Sequence, residues 1–315
     1  MISTIRTATP ETSGGAIQRP RLSARFRRDL SGYGFLAPWL VGFVLLTLGP
    51  TVVSFWMSLT SYDLRSADFV GVDNYARIAT GDPRFWTSMK VTFTFVVLSV
   101  PAKLAFALLV AIILNQKLRG ISLLTAIFYL PSLMGGSVAV GILWRQMFSR
   151  DGFINVWLHD MFGIQGMSWI SMPQTSLNAL VLLSVWQFGS SMIIFLAGLR
   201  QIPKDLYEAA GVDGAGTVKK FIYITVPLLT PVIFFNLVIQ TIESFKSFTS
   251  AFVISNGDGG PIDSLLFYTL YLYQEAFVNF RIGYASALAW VLLAIIGLLT
   301  LLMFISARHW VHYDD

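Results

Sequence analysis

The sequence contains no cysteine and only three histidines, and only 12% of its 315 residues are charged. Without cysteine, disulfides and thiolate metal sites are excluded. Two of the histidines, His309 and His312, lie at the C-terminal end, so few residues remain for a histidine-based metal or catalytic site. In soluble domains, about a quarter of all residues are charged. These shortages argue against a soluble globular domain.

What the sequence has instead is long apolar segments, with 55% hydrophobic residues and a mean hydropathy of +0.66. A helix needs about 20 apolar residues to cross a hydrocarbon core. Six segments reach that length, and together they predict an all-α polytopic membrane protein with six transmembrane helices. They lie at roughly 33–60, 88–115, 121–148, 175–199, 223–254 and 283–307. The first continues past Gly49-Pro50, so we expect an anchor that is retained and not a cleaved signal peptide.

Positive charge predicts the orientation of these helices. Residues 1–32 are rich in Ser, Thr, Gly, Pro and Arg and are expected to form a disordered, basic cytoplasmic tail. Together with the 116–120 turn, the 200–222 loop and the C-terminus, this tail holds thirteen Lys and Arg residues, against six in the opposite loops. Cytoplasmic loops carry the excess of positive charge. Both termini, including 308–315, and the 200–222 loop are therefore expected on the cytoplasmic side.

The 200–222 loop, here called the coupling loop, is the one long polar interruption of the second half. Pro203 suits a first helical turn, and Lys204 to Ala210 are good helix formers. Gly211 permits a turn, and Asp213 can cap a second helix from Gly214 to about Tyr223. The sequence therefore predicts two short helices at an angle, with small side chains that let another protein approach closely. The alternative is an ordinary amphipathic connector between two spans.

The spacing within this loop is specific. Glu208-Ala209-Ala210 is followed by Gly214, and then by Ile224 and Pro227. This pattern resembles the EAA motif of permease subunits of ATP-binding-cassette (ABC) importers, in which Glu-Ala-Ala precedes a Gly and then Ile-x-Leu-Pro. The one departure is Val226, where the family has Leu.

The outer loops extend the resemblance. Residues 69–75 and 82–86 look like the first external loop of carbohydrate-importer permeases, and residues 245–288 are similar to the same subfamily, although Asp258 splits its usual Gly-Gly-Pro. The glycines and Pro261 predict a sharp turn out of the fifth span. Leu265 to Phe280 is interpreted as an external amphipathic helix at the membrane interface, either an aromatic anchor or a docking surface for a binding protein.

The resemblance covers nearly all of residues 33–308 and points to the maltose, lactose and glycerol-phosphate type of permease, with the type I ABC importer permease fold. It implies a bacterial or archaeal cytoplasmic (inner) membrane, a heterodimer with a second, similar permease, two ATP-binding subunits and an external sugar-binding protein. The chain has no Walker-type Gly-x-x-x-x-Gly-Lys-Ser/Thr. ATP and Mg would thus be used by the partner ATPase, with no cofactor, metal or catalytic residue in this chain and no nucleic-acid partner.

The resemblance also assigns roles to residues. Glu208 would make a charged contact with the ATPase, and small residues would allow close packing; the expected coupling set is Tyr207, Glu208, Ala209, Ala210, Gly211, Asp213 and Gly214. Polar residues within spans are costly and so are candidates for a substrate pathway. Ser244 and Ser247 fall on positions that match polar translocation-site residues of maltose-type relatives. The full pathway set is Trp186, Gln187, Ser191, Asn236, Gln240, Glu243, Ser244, Lys246 and Ser247.

Several alternatives stay open at this point. Glu243 and Lys246, three residues apart, can pair with each other and need not contact a sugar. Lys103 and Arg145 can snorkel or pair within the bundle. The function itself has two alternatives: an importer permease for a non-sugar solute, or a stand-alone channel, secondary transporter or membrane enzyme. A secondary transporter would commonly show repeated halves, and the sequence shows no clear internal repeat.

Overall fold

The computed structural model describes residues 35–116, 120–164 and 166–312. The predicted tail 1–32 and the last residues of the predicted C-terminal segment, 313–315, lie outside these ranges. The main helices of the described residues are α1 (Phe35–Ser58), α2 (Asp73–Thr80), α3 (Pro83–Leu114), α4 (Ile121–Met134), α5 (Val138–Met147), α6 (Phe153–Phe162), α7 (Pro173–Trp186), α8 (Gly189–Gln201), α9 (Lys204–Val212), α10 (Thr217–Phe245), α11 (Thr249–Ile254), α12 (Tyr268–Tyr273) and α13 (Ile282–Ala307). A 3-10 turn lies at Pro261–Asp263, and a π-helical turn, Gln274–Val278, continues α12.

Two compact units divide after Ser54. The described part of the first unit, residues 35–54, is helical and contains one π-helical turn at Val44–Leu48. The second unit, Phe55–Asp315, begins within α1 and holds the other helices, and the cavities and side-chain clusters below belong to it.

Four helices, α1, α3, α10 and α13, are long and apolar enough to cross a membrane. Two bent pairs, α4 with α5 and α7 with α8, bring the candidate spans to six if each pair counts as one span. The prediction of an all-α fold with six transmembrane helices is confirmed at this level, although three of the predicted spans are not continuous helices.

The predicted span 121–148 is broken into α4 and α5, which meet at an angle of 100°. Gly135 adopts φ 49° and ψ −150°, a conformation that glycine reaches without a steric penalty. Ser137 then caps α5 by accepting a hydrogen bond from the backbone N–H of Val140. The sequence predicted the span without this bend, because the prediction rested on apolar length and did not use the Gly135-Gly136 pair.

The other two breaks are less marked in the sequence. The predicted span 175–199 bends by 43° between α7 and α8, at Gln187 and Phe188. The predicted span 223–254 begins earlier, at Thr217, and its long helix α10 ends at Phe245; the short helix α11 follows from Thr249. Each break lies beside polar residues, which is where irregular backbone at membrane depth finds hydrogen-bond partners.

Helix α3 forms the centre of the bundle, where it packs against α7, α8, α10 and α12. Ala107 and Ala111 are fully buried and four residues apart, so they share one helical face. Their small side chains allow the neighbouring helices to approach closely, as is usual for helix packing in membranes. This arrangement holds the three helix breaks around one side of α3.

Most of the segment 265–280 is not the surface helix that the sequence predicts; only its end is exposed, at Phe277, Val278 and Phe280. Leu265, Leu266, Phe267 and Tyr268 have at most 1% of their surface exposed, and α12 packs against α3 and α13. The Tyr268 hydroxyl donates to the backbone oxygen of Leu288 at 2.7 Å. An interfacial anchor was the wrong interpretation because apolar and aromatic content does not distinguish a side chain facing lipid from one buried in protein. The glycine-rich turn before it is confirmed, with positive φ at Gly257, Gly259 and Gly260.

Candidate functional site

The three helix breaks meet at one polar cavity of about 340 Å³. It is lined from the α4–α5, α7–α8 and α10–α11 junctions and from α3 and α7. The lining residues are Phe95, Lys103, Ser132, Gly136, Leu180, Leu183, Ser184, Gln187, Ser190, Gln240, Glu243, Ser244, Lys246, Ser247, Phe248, Thr249 and Ser250. Discontinuous helices that converge on a cavity are a usual construction for a substrate site in a membrane protein.

Hydrogen bonds between the breaks fix their positions. The Gln187 side-chain amide donates to the backbone oxygen of Gly135 at 2.9 Å, and the Ser132 hydroxyl donates to the backbone oxygen of Gln187 at 3.0 Å. The Ser190 backbone N–H donates to the Ser132 hydroxyl at 3.2 Å. The junctions of α4 and α7 therefore satisfy each other's free backbone groups.

Gly189 allows this contact. A Cβ atom at this position would lie 2.8 Å from the Phe128 backbone oxygen and 2.8 Å from the Tyr129 Cα atom. Contacts under 3.0 Å with backbone atoms cannot be relieved by a side-chain rotation. The close approach of α8 to α4 thus requires glycine at position 189.

Other polar groups of the cavity have unused hydrogen-bonding capacity. The side chains of Gln240, Ser244 and Ser247 make no hydrogen bond to another part of the chain that the structure describes. Buried polar groups are normally hydrogen-bonded, because leaving them unpaired costs free energy. Their free donors and acceptors are therefore available to a bound molecule.

Charged groups lie in the same cavity. Lys246 donates to Glu243 at 3.2 Å, so the pair that the sequence left open is formed. Lys103 also lines the cavity and makes no ion pair or hydrogen bond with a described residue. Two aromatic rings, Phe95 and Phe248, complete the lining. Hydroxyls, amides, charges and aromatic faces together suit a polar ligand with apolar ring faces.

Six of the nine predicted pathway residues line this cavity: Gln187, Gln240, Glu243, Ser244, Lys246 and Ser247. The structure does not bring the other three there. Trp186 lines a separate apolar cavity beside Trp144, Ser191 is fully buried, and Asn236 is buried and donates to the backbone oxygen of Val232. Sequence reasoning missed Phe95 and Ser132, which lie on spans that show no cluster of polar residues, and Ser184, which lies three residues before Gln187 on the fourth predicted span.

Arg145 lies elsewhere, beside the glycine-rich turn. It lines a second polar cavity of about 300 Å³ and donates to the Asn256 side-chain oxygen. Its predicted pairing within the protein is therefore present. The described residues contain no group of three His, Cys, Asp or Glu side chains that could hold a metal ion.

The coupling loop forms one short helix, α9, that is fixed to the start of α10. The Tyr207 hydroxyl lies 2.8 Å from the Thr225 hydroxyl, and a Cβ atom on Gly211 would lie 3.0 Å from the Lys220 side-chain nitrogen. Two residues connect α8 to α9: Ile202, which is buried, and Pro203, which precedes the first residue of α9. This helix is therefore packed against the start of α10.

Two details of the predicted loop were wrong. Asp213 does not cap a second helix; it follows the last residue of α9, and its backbone N–H donates to the Ala209 oxygen. The turn is made at Gly214, with φ 75°, while Gly211 is helical. The next helix begins at Thr217, without a side-chain cap, and continues as α10. A left-handed residue after a helix is the usual place for glycine, which explains why Gly214 takes the turn.

No described residue pairs with the outer surface of the coupling loop. Glu208 and Ala209 are exposed, and Glu208 forms no ion pair with a described residue. Val212 and Val218 expose 89% and 70% of their surfaces. Exposed apolar side chains next to an unpaired carboxylate are typical of a protein interaction surface.

The two helices that flank the coupling loop both extend to the polar cavity. Helix α8 runs from Gly189 at the cavity to Gln201 at the loop, and α10 runs from Thr217 at the loop to Phe245 at the cavity. The two helices pack against each other, and a Cβ atom on Gly198 would lie 2.8 Å from Val232 Cγ2. A displacement of the loop would therefore be transmitted along both helices to the cavity.

A third group of polar residues, here called the Asp82 cluster, comprises Asp82, Arg84, Asp263, Tyr271 and Tyr284. Asp82 caps α3 by accepting from the backbone N–H groups of Arg84 and Phe85, at 3.0 and 3.2 Å. The hydroxyls of Tyr271 and Tyr284 donate to its other oxygen. Arg84 pairs with Asp263 through two hydrogen bonds, of 3.0 and 3.2 Å.

These contacts decide the charge of Asp82, which is buried. Burial raises the pKa of Asp82, but its four hydrogen bonds outweigh burial and hold the pKa below its ordinary value. The carboxylate is therefore ionised at neutral pH. It joins the starts of α3 and α13 to α12, which makes this cluster a structural joint.

Comparisons with known proteins agree with this architecture. Residues 79–311 match the family model described as binding-protein-dependent transport system inner membrane component. The chain is 50% identical to the probable ABC transporter permease protein YesP of Bacillus subtilis, over 96% of this chain and 99% of YesP. It is 32% identical to the lactose transport system permease protein LacF of Rhizobium radiobacter, over 91% of this chain and 97% of LacF.

A solved structure matches the fold. It is a bacterial alginate ABC transporter in complex with an alginate pentasaccharide-bound periplasmic protein; one of its chains aligns with a TM-score of 0.79 at 21% identity, over 91% of this chain and 97% of that one. The predicted type I ABC importer permease fold is therefore confirmed. The chain belongs to the family of binding-protein-dependent transport system inner membrane components, the permease subunits of ABC importers.

Proposed function

We propose that the chain is the permease subunit of an ATP-driven importer of a carbohydrate, and that the polar cavity is its part of the translocation pathway. The observation that carries the proposal is the meeting of three helix breaks at a cavity lined by Phe95, by Phe248, and by hydroxyls and an amide that make no hydrogen bond with a described residue. Sugars offer hydroxyls for hydrogen bonding and apolar ring faces for aromatic contact. The names of relatives such as LacF, a lactose transport system permease, support the same class of substrate.

Coupling to ATP is the role of the coupling loop in this proposal. Glu208 makes a charged contact with a partner ATPase, while the small side chains of Ala209 and Ala210 allow its surface to approach. Because α9 is fixed to α10 through Tyr207 and Thr225, the partner can move the span by moving the loop. ATP and Mg are used by that partner, and this chain supplies no catalytic group.

The proposed assembly contains a second homologous permease, two ATP-binding subunits and an extracytoplasmic sugar-binding protein. Both termini and the coupling loop face the cytoplasm of a bacterial or archaeal cell. The distribution of Lys and Arg supports this orientation.

The transport cycle follows from a change between two arrangements of packed helices. Closure of the ATPases on ATP shifts α8 and α10 through the coupling loop and opens the polar cavity to the outside, where the binding protein delivers the sugar. Hydrolysis returns the helices, and the cavity then opens to the cytoplasm. Close packing at Gly198 keeps the two helices moving together.

Purification from the native membrane tests the proposal. The tagged chain is extracted in mild detergent, its partners are identified by mass spectrometry, and the complex is reconstituted with its binding protein for uptake assays with a panel of sugars. We expect an ATPase and a second permease, with ATP-dependent uptake of at least one carbohydrate. A chain that comes out alone and moves solute without ATP, or a complex that carries only non-carbohydrate solutes, would contradict the proposal.

A further inference from the structure

The charges of the polar cavity do not balance. The cavity is lined by two cationic side chains, Lys103 and Lys246, and by one carboxylate, Glu243. Glu243 is already paired with Lys246 at 3.2 Å. The ammonium group of Lys103 forms no ion pair or hydrogen bond with a described residue, although the Glu243 carboxylate, which it shares with Lys246, attracts it electrostatically. The cavity therefore presents one uncompensated positive charge.

Lys103 lies far from either end of its helix. It is eleven residues before Leu114 and twenty after Pro83, which at 1.5 Å per residue corresponds to about 17 Å and about 30 Å of helix. A lysine can snorkel to the membrane surface only near the end of a span. An unpaired ammonium within a span is costly, and such groups mark substrate pathways. Snorkelling therefore does not account for Lys103.

We propose that Lys103 binds an anionic group of the transported sugar, and that the substrate is an oligosaccharide containing uronic acid. This inference rests on the proposed function of the cavity as a carbohydrate pathway. A single free ammonium matches a single carboxylate, whereas a phosphate monoester carries a charge of about −1.5 to −2 at pH 7. The carboxylate accepts hydrogen bonds from Lys103, and the serine hydroxyls and Gln240 bind the sugar hydroxyls.

Selectivity follows from the same geometry. Hydrogen bonds between charged partners are stronger than neutral ones. A neutral sugar would displace water from the cavity and leave the Lys103 ammonium without a charged partner. The Glu243–Lys246 pair, by contrast, is neutral as a pair and gives no preference for an anion. Lys103 is thus the residue that separates acidic from neutral carbohydrates.

Equilibrium binding to the intact complex tests this inference. The purified complex of both permeases and both ATPases is placed in lipid nanodiscs without the binding protein, so that recognition by that protein does not contribute. Isothermal titration calorimetry then measures Kd for oligogalacturonate and oligomannuronate, for their carboxyl-reduced counterparts of equal length, and for trehalose 6-phosphate. We expect an acidic oligosaccharide to bind at least about tenfold more tightly than its reduced counterpart and than the phosphorylated sugar.

Variants assign the preference to one side chain. Lys103→Met should remove the tenfold preference, whereas Lys103→Arg should keep it because the positive charge remains. Lys90→Met is the matched control, since Lys90 lies exposed on the same helix and does not line the cavity. Retention of the Lys103→Arg complex at wild-type levels shows that the position tolerates substitution.

The outcomes separate this inference from the proposed function. Loss of the acidic preference in Lys103→Met alone supports the assignment. Equal binding of acidic and reduced sugars, tighter binding of the phosphorylated sugar, or a preference that survives in Lys103→Met overturns it while the carbohydrate function stands. If no sugar, acidic or neutral, binds or is taken up by the reconstituted system, the proposed function fails as well.

Discussion

The start and the middle of helix α3 carry charged groups that are partnered to very different degrees. At its start, Asp82 accepts four hydrogen bonds and Arg84 is paired with Asp263. Further along the same helix, Lys103 lines the polar cavity without an ion pair among the described residues. Fully satisfied polar groups stabilise and position helices, whereas unsatisfied ones are left free for a ligand. The degree of partnering thus distinguishes a structural joint from a binding site.

The coupling loop is a third place for this comparison, because the carboxylate of Glu208 also forms no ion pair with a residue that the structure describes. Glu208→Arg should abolish ATP-dependent uptake, since the reversed charge repels the ATPase group that it contacts. The amount of permease in the membrane should not change, because Glu208 supports no described contact. Uptake in proteoliposomes and immunoblotting of membranes measure the two effects.

A matched control for this variant is Asp160→Arg, which makes the same charge change at another exposed helical site, on α6. It should leave uptake at wild-type levels. Normal uptake in Glu208→Arg, or equal loss in both variants, would contradict the assignment of the coupling loop.

The opposite behaviour is expected at the fully partnered end of α3. Asp82→Ala leaves the hydroxyls of Tyr271 and Tyr284 buried without an acceptor, at a cost of roughly 1–3 kcal/mol for each. The variant should accumulate less in the membrane and melt at a lower temperature in detergent, while the sugar affinity of the folded fraction is unchanged. Thermal unfolding followed by tryptophan fluorescence measures the stability.

Acidification gives an independent check on Asp82. Because its folded pKa lies below the ordinary value, its stabilising contribution is complete above the unfolded pKa of about 3.9 and is lost as the pH falls through the lower, folded value. Wild type should therefore lose more stability than Asp82→Ala below about pH 4. The exposed residue Asp68 supplies the control, and Asp68→Ala should behave as wild type.

Smaller losses of uptake and stability are expected from a change at Gly189, where α8 contacts α4 beside the cavity. Gly189→Ala places a methyl group 2.8 Å from backbone atoms of α4, so α8 must move away from Phe128 and Tyr129. We expect uptake to fall several-fold with a stability loss of about 1–3 kcal/mol. Gly297→Ala on α13, where a Cβ atom meets nothing within 4 Å, should instead be neutral or stabilise the helix by up to about 1 kcal/mol. Equal effects of the two changes would show that the close approach is unimportant.

The smallest effect on stability belongs to the Glu243–Lys246 pair. Both side chains are more than half exposed, and exposed pairs three residues apart stabilise a helix by about 0.2–0.5 kcal/mol. A double-mutant cycle of Glu243→Gln and Lys246→Gln should therefore give a coupling energy below about 0.5 kcal/mol in thermal unfolding. A coupling energy above 1 kcal/mol would place the pair with the structural joints and not with the cavity.

Apolar length and motif spacing predicted much of this molecule. The positions of the six spans and the helix of the coupling loop follow from residues such as Pro203 and from the hydrophobic segments themselves. The helix breaks did not follow, because a hydropathy window averages over the few residues at which a helix bends. Gly135-Gly136 gave a local signal, whereas Gln187-Phe188 is broken by tertiary contacts that no local pattern records.

Only part of the cavity lining was predicted from the sequence. The polar cluster of the fifth span, Gln240 to Ser247, stands out against its apolar neighbours, and it does line the cavity. Phe95 and Lys103 face it from α3, but which face of a buried helix turns toward a cavity depends on packing against its neighbours. The same limit explains why Leu265–Phe280 was placed at the membrane surface: its composition is compatible with lipid and with a protein core.

The bend between α4 and α5 has a consequence for how the protein is made. With 14 and 10 residues, the two helices are about 21 and 15 Å long, and neither reaches across a hydrocarbon layer of about 30 Å. Neither half can therefore be inserted into the bilayer as a span of its own. The two halves depend on each other, and the side-chain amide of Gln187 binds the backbone oxygen of Gly135 at the bend between them. The α4–α5 side of the polar cavity thus relies on a hydrogen bond from the segment that follows it in the chain.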